Sequence, residues 1–322
     1  MAQLTSMFTT LFQPAPLPID MAPAGIGYNT TRVNRGTGVN VVIGTMGELA
    51  KVDDSGRLLE EPAKPYPASI FDGVLIHDRW VGIWLDRELG DARMAALPLD
   101  QKWSDGPERE ELRMAIASQR SLHPAGAMWH RRLDAEPIKM GTFEGNIVFA
   151  TIDGAYMIDS DSNEVWRGVL PFWQEIAEIG IDDRIVAICE FPGGLSLWSR
   201  AGGVAVLDPS QGGILYTKVI PTKDSVESVF YSENGGWVVC LHEGNVLLMD
   251  KIEEEPHLVR TNGAILDAEY SSIGWRLTGW RNDVLVGKAD DPPTVAKTES
   301  IGIGIIGGIV MTNDGEWSKF SA

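Results

Sequence analysis

GNIVFATIDGAYMIDSDSNEVWRG, residues 145–168, reads as an apolar run, a tight turn, a second apolar run, a polar turn and a short run containing Trp166. NIVFATI and AYMIDS are rich in the β-branched and aromatic residues that suit a pleated, half-buried surface. Asp153-Gly154 between them is a hairpin signal, because glycine has no Cβ to oppose a positive φ. Whether this unit stands alone or recurs decides the fold.

It recurs. Residues 40–60 (NVVIGTMGELAKVDDSGRLLE) place Gly47 at the turn, and 194–216 (GLSLWSRAGGVAVLDPSQGGILY) place Gly203 there. Residues 236–259 carry Gly244, 275–287 carry Asn282-Asp283, and 308–320 carry Asp314-Gly315. A weaker copy, 80–100, turns near Gly90. The turns at 47, 90, 154, 203, 244, 283 and 315 are spaced by 43, 64, 49, 41, 39 and 32 residues. A unit of about 40 residues is the period of a four-stranded propeller blade. A sandwich with similar hairpins is the competing arrangement. Short alternating runs at 178–190, 225–233, 263–271 and 299–307 supply the strand that precedes each later hairpin.

The expected fold is therefore all-β: a seven-bladed β-propeller spanning 1–322 as a single domain. The last copy ends after its third strand, and LTSMFTTLF, residues 4–12, offers a spare strand before a Pro-rich break. Pairing that N-terminal strand into the last blade closes the ring and removes sheet edges that would otherwise invite association. With its repeats, the chain resembles the WD40-like and quinoprotein-like (PQQ-type) β-propeller group. The resemblance rests on hairpins such as 145–168 and covers most of 25–322. It implies the ring fold. The Gly-His and Trp-Asp pairs of WD40 repeats are missing, and the resemblance implies no catalytic function.

The spacing of 64 marks an insertion of about 20 residues over 104–138, expected between the second and third blades. SDGPEREELRMAIASQRSLHP predicts a helix with Asp105 as N-cap, Pro107 at the first helical position, acids in the first turn, Leu112, Ala115 and Ile116 on one face, and an end before Pro124. From Leu112 to Leu133 the chain has no acid but carries Arg113, Arg120, Arg131 and Arg132, with His123, Trp129 and His130 among them. In a chain of net charge −18 that cluster stands out. One reading makes it a docking patch for an acidic partner or phosphate group, anchored by Trp129. The other has the arginines pairing with the acidic body to fasten the insertion down.

Catalytic patterns are not apparent. There is no GxxxxGK[ST] loop and no GxSxG elbow, and GIGIIGG at 302–308 is not followed by a helix. Its glycines suit a strand packed near the ring axis. His77, His123, His130, His242 and His257 form no metal spacing, and DSDSNE (159–164) lacks the glycine and glutamate of a calcium loop. No catalytic residue, metal or cofactor is expected. If all seven turns are the same hairpin they share one rim, displaying Glu48, Asp153, Arg200, His242, Glu243, Arg281 and Asp314. That mixture of signs suits a protein partner better than a metal ion.

The net charge disfavours nucleic acid and anionic membranes at long range. Cys189 and Cys240 lie in apolar runs and read as buried, reduced thiols, which suits a reducing compartment. No signal peptide and no long apolar span is evident. Taken together, the expectation is a non-catalytic cytoplasmic scaffold or adaptor that binds protein partners. The alternative is an enzyme or small-ligand binder with its site at the channel mouth, using His242 and nearby carboxylates.

Overall fold

The computed structural model describes residues 23–287 and 292–322. Seven antiparallel sheets follow one another along the chain, each built from consecutive strands. Blade one holds β1 (Thr30–Asn34), β2 (Asn40–Gly44) and β3 (Leu49–Val52). Blade two holds β4 (Ser69–Ile76), β5 (Arg79–Asp86), β6 (Asp91–Pro98) and, after helix α1 (Arg109–Ala117), β7 (Trp129–Arg132). Blade three holds β8 (Pro137–Phe143), β9 (Asn146–Thr151), β10 (Gly154–Ile158) and β11 (Glu164–Gly168). The short helix α2 (Gln174–Ile179) leads to blade four: β12 (Ile185–Phe191), β13 (Gly194–Ser199), β14 (Gly203–Leu207) and β15 (Ile214–Val219). Blade five is β16 (Val226–Ser232), β17 (Gly236–Leu241), β18 (Asn245–Met249) and β19 (His257–Arg260). Blade six is β20 (Ile265–Ser271), β21 (Gly274–Gly279), β22 (Asn282–Val286) and β23 (Thr294–Lys297). Blade seven is β24 (Gly302–Ile306), β25 (Ile309–Thr312) and β26 (Trp317–Lys319). The seven-bladed propeller expected from the repeat is the observed fold.

The first strand of each blade faces its neighbours around the central channel. β8 packs on β12, β12 on β16, β20 on β24, and β24 on β1. Between blades lie apolar layers in which tryptophans act as wedges. Trp80, Trp84 and Trp103 fill the space between blades one and two, Trp166 and Trp173 that between three and four, and Trp198 and Trp237 that between four and five. The ring closes on a layer of Val33, Val42 and Val52 against Ile303, Ile306, Met311 and Trp317. Gly304 permits that approach, since a Cβ there would stand 2.3 Å from Val33.

Blades one and seven each have three paired strands among the described residues. In blade one the outer place is taken by single bridges from Leu58 and Ala63 to β3. The segment 4–12, expected as the closing strand, lies outside the described residues. Just beyond it, the Ile26 and Thr30 N–H groups donate to Gly315 and Asn313, tying the start of blade one to the turn of blade seven.

Several local expectations are corrected. In 145–168 the turn is Ile152-Asp153, and Gly154 opens β10 without a positive φ. In blade six Asn282 and Asp283 begin β22, and Arg281 takes the left-handed position at φ 55°. In blade four Gly202, at φ 87°, has that role and Gly203 begins β14. The strand expected over 178–190 begins only at Ile185, after α2. Gly244 does hold a positive φ of 89°, and a Cβ there would meet the Gly263 backbone at 2.5 Å.

Helix α1 also starts later than its acidic and proline signals suggest. Asp105 does not cap it, because its carboxylate accepts the Lys64 N–H at 2.8 Å, while Gly106 N–H bonds Lys64 O. Those bonds hold 105–106 to the preceding segment. The helix instead begins after Glu108, whose side chain and that of Glu111 form a reciprocal capping box. Leu112 and Ala115 are buried, and Leu112, with Ile116 beside it, packs in the layer between blades one and two. The helix lies inside blade two, between its third and fourth strands, and both β7 and the start of β8 fall within 104–138.

Both cysteines are free, Cys240 buried and Cys189 half-buried with its thiol turned onto Val229 O, and burial pushes each thiol up to about 12. At pH 8 the thiolate, which is the reactive form, is then about one part in ten thousand. Neither thiol should react with Ellman's reagent in the native protein, and both should react in denaturant. Fast native labelling of either would contradict this burial.

Candidate functional site

Three clusters of polar side chains can be built from the sequence upward. The first lies in the channel. Every inner strand has a register shift at the same place, at the end nearest the turn between the second and third strands of its blade. Such β-bulges re-aim side chains. The residues just past the seven shifts are Arg32, Asp72, Lys139, Ala187, Ser228, Asp267 and Gly304. All but Gly304 border a cavity of about 510 Å³.

The charges in this ring are spent on one another. Arg32 and Lys139 both pair with Asp72, Lys139 at 3.0 Å, and Asp72 also accepts the Met140 N–H of the next blade at 3.0 Å. Burial pushes the Asp72 carboxyl up, but Arg32, Lys139 and the Met140 N–H outweigh it and hold it below the usual carboxylate range. Across the channel Arg35 pairs with Asp267 and donates to Ala268 O at 2.8 Å, while Asp267 accepts the Ile305 N–H at 2.8 Å. Each aspartate thus joins the inner strand of one blade to the next. These residues were missed at the sequence level. The signal available was a charge inside an apolar inner strand, as in SIFDGV and AILDAEY.

The second cluster is on the rim. Arg200 and His242, from the turns of blades four and five, meet on Glu227 at 2.7 and 3.0 Å. Glu227 sits at the bulge of β16 and was not foreseen. Glu243 donates its backbone N–H to Asp224 at 2.7 Å. The remaining rim residues are not drawn together. The Glu48 carboxylate accepts Met46 N–H within its own turn, Asp314 accepts from Thr312 in its own turn, and Asp153 and Arg281 are exposed on theirs.

The third cluster is the edge of blade two. The register pairs Arg93 with Arg132 and Ala95 with His130, placing Arg93, His130 and Arg132 on one face of the sheet. Trp129 and Arg131 alternate to the other face. There Trp129 packs in the layer between blades two and three and donates to Ser160 O at 2.7 Å. The Glu164 carboxyl on that side is held low chiefly by its hydrogen bond from Arg167, with Arg131 contributing. Arg113 reaches only its helix neighbour Glu110, at 3.9 Å. The sequence cluster is therefore divided between two faces, with Arg113 on the helix surface.

On the first face the turn after α1 brings Arg120, Ser121 and His123 over β6 and β7. His123 and His130 stack with ring centroids 4.8 Å apart. Arg93 donates to Ser121 Oγ at 3.2 Å and to His130 Nδ1 at 3.1 Å, which leaves the imidazole proton on Nε2. Burial, then Arg93 and His123, hold His130 below its ordinary value. A cleft of about 470 Å³ opens here, lined by Asp91, Arg93, Arg120, His130 and Arg132 among others. Arg93, the buried member, also went unforeseen, because it lies twenty residues before the arginine run.

Among the described residues no group of three or more His, Cys, Asp or Glu could hold a metal ion. In DSDSNE, Asp159 accepts the N–H groups of Asp161 and Asn163 and makes an ordinary polar turn. No helix among the described residues is long and apolar enough to cross a membrane.

Geometry of this kind defines a β-propeller protein, and the solved structures that share the fold agree. They include the WD40 β-propeller domain of Doa1, with 10% identity, 92% of this chain and 97% of that chain covered, and a TM-score of 0.59. The β-propeller domain of Myceliophteria thermophila Cps50 (Swd1) has 11% identity, coverages of 90% and 96%, and a TM-score of 0.63. BamB from Moraxella catarrhalis has 11% identity, coverages of 92% and 85%, and a TM-score of 0.55. The resemblance to WD40-like and PQQ-type propellers thus holds at the level of fold. No protein-family model matches the chain, and no curated protein is similar to it in sequence.

Proposed function

We propose that this propeller is a non-catalytic cytoplasmic scaffold or adaptor that docks a protein partner on the edge of blade two. The observation that carries the reading is the basic edge on a chain of net charge −18. Arg120 and Arg131 have no carboxylate within 4.0 Å among the described residues, Arg131 acting on Glu164 only at longer range, which supports their being open to a partner. Charge complementarity of this kind steers association and selects partners. The channel supports the reading from the other side. Its buried charges are mutually paired and bond blade to blade, which is a structural use.

The test is a pull-down from the native lysate with wild type beside an Arg120/Arg131/Arg132→Ala variant of equal thermal stability. The expected outcome is a partner held by wild type and released by the variant. Equal recovery by both would return these arginines to a structural role and move the search to the Arg200–Glu227–His242 rim.

A further inference from the structure

The buried charges of the channel are matched, but those of the cleft between the turn after α1 and β7 are not. Arg93 and Arg132 are direct cross-strand partners, and like charges directly opposite each other are destabilising. Arg120 stands at the same cleft, its Nε donating only to Ser118 Oγ. Three guanidiniums therefore face one carboxylate, Asp91. That carboxylate is already engaged: it accepts the Tyr66 hydroxyl at 2.7 Å and stands 3.4 Å from Arg93 and 3.7 Å from Arg132.

Arg93 forms a buried floor, its side chain 6% exposed, and its Nε has no acceptor. A buried charge is usually fully bonded, so an orphaned donor beside an opposed pair of like charges is a local conflict. An anion with several oxygens in the cleft relieves the repulsion between the opposed arginines, the Arg93 Nε itself being closed to the cleft. A single carboxylate offers two oxygens and one charge. A phosphate monoester offers three acceptor oxygens and nearly two charges, and guanidinium forks match its geometry. The cleft of about 470 Å³ also has more room than a lone phosphate group needs, leaving space for the chain that carries it.

We propose that this cleft binds a phosphate monoester borne on a phosphorylated side chain of a protein partner. The proposal rests on the reading of blade two as the docking edge and names the chemistry recognised there. Asp91 and Ser121 then position Arg93 and Arg132, while Arg120 closes over the group from the insertion.

Two measurements separate the proposal from the reading beneath it. The first is calorimetric titration of the full chain with inorganic phosphate and with phosphoserine, at constant ionic strength, with acetate as control. Phosphate and phosphoserine should bind and acetate should not. The Arg120→Gln/Arg132→Gln variant should bind at least tenfold more weakly, with unchanged thermal stability. Both residues are exposed, so folding is not at risk, and Arg93→Gln serves as a second variant only if it folds. No binding of either phosphate, or equal binding of acetate, overturns the proposal whatever the pull-down shows.

The second measurement repeats the pull-down after phosphatase treatment of the lysate. Loss of the partner supports the proposal. A partner that survives phosphatase but is lost by the arginine variant overturns the phosphate chemistry and leaves the docking edge standing. Phosphate binding with no arginine-dependent partner overturns the protein-borne source and the docking reading together.

Discussion

Trp198→Ala should destabilise the protein by about 3–5 kcal/mol, the range for truncating a large buried aromatic. Trp198 is fully buried between blades four and five. Its ring meets Trp237 at 5.0 Å, and its Nε1 donates to Ser196 Oγ at 3.0 Å. Removing it leaves a cavity and takes from the Ser196 hydroxyl one of its two hydrogen bonds, in a layer walled by two rigid sheets that cannot collapse to fill it. Melting temperature should fall on the order of 10 °C. Trp280→Ala is the control. That ring lies on a rim turn and is 59% exposed, so its loss should change stability by no more than about 0.5 kcal/mol. Similar losses for the two would mean that the layers between blades do not hold the ring together.

Asp72→Ala should be comparably severe, at about 3–5 kcal/mol, because removing one member of a buried ion cluster strands the others. Arg32 and Lys139 would be left side by side with no anion between them, and the Met140 N–H would lose its acceptor. Asp72→Asn restores the shape and not the charge, and separates the two contributions. Glu136→Gln, in the exposed pair with Arg87, should cost about 0–1 kcal/mol.

The pH dependence has a definite sign. The folded Asp72 carboxyl is held below its unfolded value, so its contribution is fully present above about pH 4 and is lost as pH falls through the depressed folded value. The stability gap between wild type and Asp72→Asn, measured by urea unfolding, should therefore be flat near neutrality and narrow below about pH 4. A gap that widened on acidification would contradict the ion cluster.

The ring was legible in the chain because every blade repeats one hairpin, and a hairpin announces itself locally. Alternating apolar runs and left-handed turn positions near Gly47, Gly244 and Gly315 require no knowledge of distant contacts. Turn positions slipped by a residue or two where Arg281 adopts a conformation usually left to glycine, and where Gly202 rather than Gly203 does so. The start of α1 was misread because Asp105 is drawn away by Lys64, forty-one residues earlier, a competition invisible to local pattern.

The candidate site was half legible for the same reason. A run of arginines without acids is visible along the chain. Which of them share a face is fixed by the pairing of β6 with β7, and that register separates Arg131 from Arg132 and adds Arg93. The channel charges were hidden more completely. Their common position depends on a bulge repeated in seven sheets, and each charged partner lies at least forty residues away along the chain.

The most direct test of the docking edge is hydrogen exchange of the propeller with its captured partner bound. Amides of 109–132, from α1 through β7, should exchange more slowly in the complex than in the free chain, and the turns carrying Arg200 and His242 should not change. Protection confined to that rim, with 109–132 unaltered, would contradict the account and place the partner over the channel mouth.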